Sequence, residues 1–218
     1  MTGKPGDLVT AQITVLQQIR FVVLCVPAAI LVSACKGAEQ PAMSMSEIKI
    51  PPGANYTAAD VRFMQGMIGH HAQALRMAAM APTHGAGPSV QLLSKKIDVS
   101  QKDEIAMMST WLKDRHQAVP DPTDPHPMMM PGMLTDAQLA ALEQAHDSTF
   151  DRLFLTDMIQ HHEGAIQMVK DLFATPGAGQ ASEVFRFASD VDTDQRGEIA
   201  RMQAMLASPT HSLTVHAQ

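Results

Sequence analysis

An 18-residue segment occurs twice in this chain. Residues 60–77 read DVRFMQGMIGHHAQALRM and residues 151–168 read DRLFLTDMIQHHEGAIQM. At a fixed offset of 91, Asp, Phe, Met, Ile, His, His, Ala and Met coincide, eight positions of the 18. A second match follows each copy. Residues 101–108 (QKDEIAMM) align with residues 195–202 (QRGEIARM) at an offset of 94. The repeating unit is a helical hairpin of roughly 55 residues, and one such hairpin cannot bury its apolar stripe alone, whereas two close a four-helix bundle.

Proline supports the helical reading. The windows 53–81, 89–119, 132–175 and 177–208 contain none, and helix interiors exclude proline. The spacing predicts helices over about 57–80, 89–115, 148–173 and 181–207, with a short one over about 135–146. Thr57 with Asp60, Thr135 with Gln138 and Ser148 with Asp151 have the spacing of capping boxes or their acidic variant. No segment alternates with period two, so no sheet is expected. The fold class is therefore all-α, a four-helix bundle made of two tandem helical hairpin repeats.

At about 100° per residue, Phe63, Met67, His70, His71, Ala74 and Met77 share an arc of about 140° with Asp60 and Met64. Asp151, Phe154, Met158, His161, His162, Ala165 and Met168 form the equivalent arc. An apolar stripe faces the core, so both histidine doublets are expected to point inward or to its edge. A buried imidazole needs a hydrogen-bond partner or a metal. Gln101 with Glu104, and Gln195 with Glu198, are each three residues apart and share a face. A carboxylate or amide oxygen there can accept from one ring nitrogen and leave the other for a ligand.

Thioether with imidazole suits Cu(I), and Cu(II) where imidazole dominates; hard ions want oxygen. The candidate metal ligands are His70, His71, His161, His162, Met67, Met77, Met158 and Met168. Neighbouring histidines sit about 100° apart on a helix, so a site is expected to draw donors from two helices. Gln101, Glu104, Gln195 and Glu198 are the candidates for supporting them. The other reading gives the methionines core packing and the histidines core hydrogen bonds. His126, Met128, Met129, Met130 and Met133 form an accessory candidate, either a mobile Cu(I)-catching segment or an apolar plug over the bundle end. His84, His116, His146, His211 and His216 lie near ends or tails and read mostly as solvated. Ligating imidazole must be neutral, so the metal affinity of this site is expected to fall below about pH 6.5.

The doubled pattern D-x-x-F-(M/L)-x-x-M-I-x-H-H-x-x-A-(L/I)-x-M, each copy followed by Q-x-x-E-I-A-x-M, resembles the bacterial secreted family called "domain of unknown function 305". The likeness covers residues 56–207. It implies a ferritin-like four-helix bundle in a family with no assigned reaction, some members of which are periplasmic copper-binding proteins. Met129-Met130-Pro131-Gly132-Met133 is similar to the family's segment between repeats. A di-iron bundle would need Glu-x-x-His motifs at core positions. Neither repeat has one, and Ala72 stands where the second copy has Glu163, so ferroxidase chemistry has poor support.

Residues 21–32 (FVVLCVPAAILV) form an uncharged run of 12 after Arg20. That is short for a membrane span and right for a signal-peptide core. The run leads into Leu31-Val32-Ser33-Ala34-Cys35, which resembles a bacterial lipobox, with Cys35 the lipid acceptor. The other reading is an ordinary cleaved signal with a chance cysteine. The expected domains are a lipoprotein signal over 1–34, the lipidated Cys35 and a flexible tether over 35–55, the bundle over 56–207 and a tail over 208–218. Within the bundle, repeat one is 56–115, a Met-rich linker 116–134 and repeat two 135–207. The formal charge of −6 offers no basic excess for phosphate and excludes a nucleic-acid partner. The expected partners are a metal ion, copper first, and a membrane through the lipid alone, at the cell envelope. The leading function is a copper-binding lipoprotein for buffering or transfer rather than an enzyme. The alternatives are a redox metal enzyme such as a Cu(I) oxidase, and a structural or partner-binding lipoprotein.

Overall fold

The computed structural model describes residues 48–124 and 128–208. Cys35 and the leader, residues 36–47 of the tether, His126 of the linker and residues 209–218 of the tail, with His211 and His216, lie outside the described residues. Five helices follow in order: α1 (Ala58–Ala78), α2 (Pro88–Asp114), α3 (Asp136–Gln144), α4 (Asp147–Ala174) and α5 (Ser182–Ala207). Among the described residues there is no strand, and no helix is long and apolar enough to cross a membrane.

Of the three capping boxes expected from spacing, two form. Thr57 and Asp60 form a reciprocal capping box at α1, and Thr135 and Gln138 form one at α3. Pro88 opens α2 at the first turn, where its missing N–H costs nothing. Ser148 does not cap α4. That helix begins a residue earlier, after His146, with no side-chain cap. The Asp147 N–H donates instead to the His84 carbonyl at 2.8 Å, and the Asp151 carboxylate is engaged elsewhere.

The long helices form two antiparallel hairpins, α1 with α2 and α4 with α5, packed together through α1 and α4. Met168 reaches Gly66 while His161 meets His70, so α1 and α4 are also antiparallel. The chain must therefore climb the length of α1 to pass from the end of α2 to the start of α4. Ala118 accepts from Gln65, Met130 lies over Gly66, Leu134 is clamped by the Gln73 amide, and Asp147 meets His84. The connection is a crossover strap along α1 and α4, and the expectation of an apolar plug on the bundle end is wrong. Gly132 (φ +77°) rests on Gly164 of α4, where a Cβ would meet the Pro131 carbonyl. Any side chain at residue 164 would push the strap off the helix pair.

The hairpins are clasped reciprocally. Asp60 on α1, wholly buried, accepts from the Gly179 N–H in the α4–α5 turn at 2.6 Å. Its counterpart in the repeat, Asp151 on α4, accepts from the Gly87 N–H in the α1–α2 turn at 3.0 and 3.1 Å. Each repeat thus holds the other's turn. The apolar core divides into two clusters. One gathers Met64, Met67, Met108, Trp111, Met168, Val184 and Phe187; the other gathers Met77, Leu93, Ile97, Phe150, Phe154, Met158 and Met202. On all four long helices the large inward-facing side chains between these clusters are polar.

Candidate metal centre

The dividing layer consists of His70 and His71 from α1, His161 and His162 from α4, Gln101 and Glu104 from α2, and Gln195 and Glu198 from α5. All four histidines and both glutamines are buried. The His70 and His161 rings meet across the α1–α4 contact with centroids 3.8 Å apart and planes tilted by 40°. The His71 and His162 rings lie 6.3 and 6.2 Å from their chain neighbours, one to each side. The structure thus brings the two doublets together across two helices.

Every Nε2 is engaged. His70 Nε2 donates to the Pro131 carbonyl at 3.1 Å, and His161 Nε2 donates to the His70 carbonyl at 3.0 Å. His71 Nε2 meets Glu104 at 2.5 Å, and His162 Nε2 meets Glu198 at 2.7 Å. The two glutamates stand at the edge, their side chains 22% and 17% exposed over wholly buried rings. By contrast Nδ1 of His70, His71 and His162 is buried without a partner. A carbonyl only accepts, so His70 and His161 carry their proton on Nε2 and the lone pair on Nδ1. Burial, reinforced by the neighbouring imidazoles, pushes His70 down to about 3 and His161 well below the ordinary range. These two rings are neutral at ordinary pH, so an affinity that fades below about 6.5 is not what they would produce.

Met67 and Met168 flank the layer from one apolar cluster, and Met77 and Met158 from the other. All four are buried. Among the described residues no three His, Cys, Asp or Glu side chains converge as a ready cage for a metal ion. Gln101 and Gln195 do not accept from an imidazole as expected; each Oε1 has no partner. Of the accessory residues, Met133 is buried, Met130 is half-buried over Gly66, and Met128 and Met129 are exposed. His84 is not a solvated end residue: its ring lies 2.8 Å from the Met80 carbonyl and 2.9 Å from the Glu143 carbonyl. The Pro131 carbonyl and the Asp60 and Asp151 clasps escaped the sequence reading. The leading aspartate of the doubled motif was the available signal for the clasps.

Residues 60–206 match the family described as "Domain of unknown function (DUF305)". A crystal structure of a DUF305 fragment from Deinococcus radiodurans is similar at 35% identity, covering 69% of this chain and 97% of that one, with a TM-score of 0.59. A DUF305 protein from Streptomyces coelicolor, described as a candidate secreted protein, is 28% identical over 71% of this chain and 94% of that one, with a TM-score of 0.61. CopM in its Cu(I)-bound form is 30% identical over 67% of this chain and 94% of that one, with a TM-score of 0.54. CopM has also been solved in Cu(II)-bound and Ag-bound forms. Comparison with curated proteins finds no match.

Proposed function

The chain belongs to the DUF305 family, and on that premise we propose that it is a copper-binding protein of the cell envelope, which holds the ion for buffering or transfer without turning it over. The observation that carries this reading is the set of buried Nδ1 atoms without partners on His70, His71 and His162. An unpartnered buried polar atom costs about 1–3 kcal/mol, and a bound ion removes that cost. Copper-bound and silver-bound CopM, a relative at 30% identity, support the same chemistry.

The donor set favours Cu(I). Fewer than three imidazoles or carboxylates converge at any point among the described residues, and the buried thioethers of Met67, Met77, Met158 and Met168 are the further donors of this reading. Sulfur with nitrogen selects a soft ion. His70 and His161, neutral at ordinary pH, offer lone pairs without first losing a proton. Glu104 and Glu198 hold His71 and His162 in orientation through Nε2. The leader fits export with a lipid on Cys35, which mass spectrometry of native protein against a Cys35→Ser variant tests.

The decisive experiment is Cu(I) or Ag(I) uptake by the purified protein in competition with a soft-metal chelator. The His70→Leu/His161→Leu variant should keep its helical circular dichroism and bind at least about tenfold more weakly, as losses at metal sites commonly do. Equal uptake by both proteins would sink the proposal and leave the histidines a purely structural part.

A further inference from the structure

Two amide oxygens remain unaccounted for by the histidine layer. Gln101 and Gln195 are 2% and 4% exposed, yet neither Oε1 has a hydrogen-bond partner. Both line a groove of about 370 Å³ between α2 and α5, together with Glu104, Asp194, Glu198 and Arg201. Glu104 and Glu198 each give Oε2 to an imidazole, which leaves Oε1. The groove is therefore lined by oxygen, with three carboxylates set against one guanidinium. The two helices face one another here across a gap lined by like charges, which a cation between them would neutralise.

We propose that this groove holds a hydrated hard divalent cation, gripped between the amide oxygens of Gln101 and Gln195 and the outer carboxylate oxygens of Glu104 and Glu198. Oxygen-only donors suit Mn²⁺, Mg²⁺ or Ca²⁺ and not the soft ion of the histidine layer. No three carboxylates or imidazoles converge among the described residues, so the ion keeps much of its water, as Mg²⁺-like ions do. The amide oxygens are the fixed part of the grip, because burial holds them in place. The site bridges the two hairpins on the side where α2 and α5 face one another. It goes beyond the copper reading and does not depend on it.

The probe is Mn²⁺, followed by loss of its free-ion electron paramagnetic resonance signal on adding the copper-free full chain. The expected result is one Mn²⁺ per chain with a dissociation constant of about 10⁻⁴–10⁻³ M, the range of weakly charged oxygen sites. Excess Ca²⁺ should displace it. In Gln101→Met/Gln195→Met the oxygens are gone while the side-chain length stays, and replacing an unpartnered buried acceptor by an apolar group is close to neutral for folding. That variant should bind Mn²⁺ at least about tenfold more weakly, given the lost ligands. Unchanged Mn²⁺ affinity in the variant, or no uptake by the wild type at millimolar Mn²⁺, overturns the proposal. If the double variant does not fold, Gln195→Glu is the second test: an added carboxylate should tighten Mn²⁺ at least threefold, and equal or weaker binding overturns the proposal. Ag(I) uptake in the same samples reads the histidine layer separately. Failure with Mn²⁺ while silver binding persists therefore rejects this site alone.

Discussion

His71 and His162 are held at one nitrogen by Glu104 and Glu198 and bare at the other. Replacing Glu104 by Ala leaves His71 Nε2 in the core without an acceptor. The expected cost is about 1–3 kcal/mol in urea unfolding, with a 10–100-fold loss of Cu(I) affinity from the disoriented ring. Glu198→Ala should behave alike, and a variant that loses neither would remove the glutamates from the site. The central pair makes a second prediction, about acid. His70 and His161 titrate below the ordinary imidazole value when folded, so the unfolded chain takes up protons that the folded chain refuses. Stability of the metal-free protein is therefore complete above about pH 6.5 and declines as the pH falls towards 3. The slope reaches about 1.4 kcal/mol per pH unit for each ring. Urea midpoints at pH 7.5, 6.5 and 5.5 test this, and a flat response would contradict it. The doublets, their inward face and the pairing with Glu104 and Glu198 were legible from helical spacing, because each relation lies within one hairpin. The role of the Pro131 carbonyl was not, since a backbone acceptor leaves no residue-type signature.

The helices themselves were readable to within two residues, because proline and capping chemistry act locally. Ser148 misled for the opposite reason: its cap partner, Asp151, is drawn to Gly87 on the other hairpin. The same contrast between local preference and tertiary demand separates two glycines. Ala is favoured over Gly inside a helix by about 1 kcal/mol. Gly197 on α5 has nothing within 4 Å of an added Cβ, so Gly197→Ala should stabilise the protein by about that amount. On α4 the Pro131 carbonyl occupies the place of a Cβ at Gly164. Gly164→Ala should therefore destabilise by about 1–3 kcal/mol despite its better propensity. Denaturant midpoints with opposite signs are the check, and equal signs would mean that the strap does not seat there.

The doubled sequence becomes a whole through the reciprocal clasps, Asp60 on Gly179 and Asp151 on Gly87. Asp60→Ala should cost about 2–3 kcal/mol, the range for a hydrogen bond to a charged group whose partner is left buried. Asp151→Ala should cost less, since Asp60 is wholly buried and Asp151 is not. Paired melts monitored by near-ultraviolet and far-ultraviolet dichroism would show whether the clasps keep the hairpins in one transition. The sequence repeat made both aspartates visible without saying what they bind, because each partner lies in the opposite hairpin. Nor did it tell a turn from a crossover, since proline-rich segments serve either use. Among the described residues the strap has no counterpart in the second repeat. It closes one flank of the α1–α4 seam, and the hollow between α2 and α5 leaves the other open. Among the described residues, near-equal halves have thereby built a molecule whose two sides are unlike, one strapped over and one hollowed.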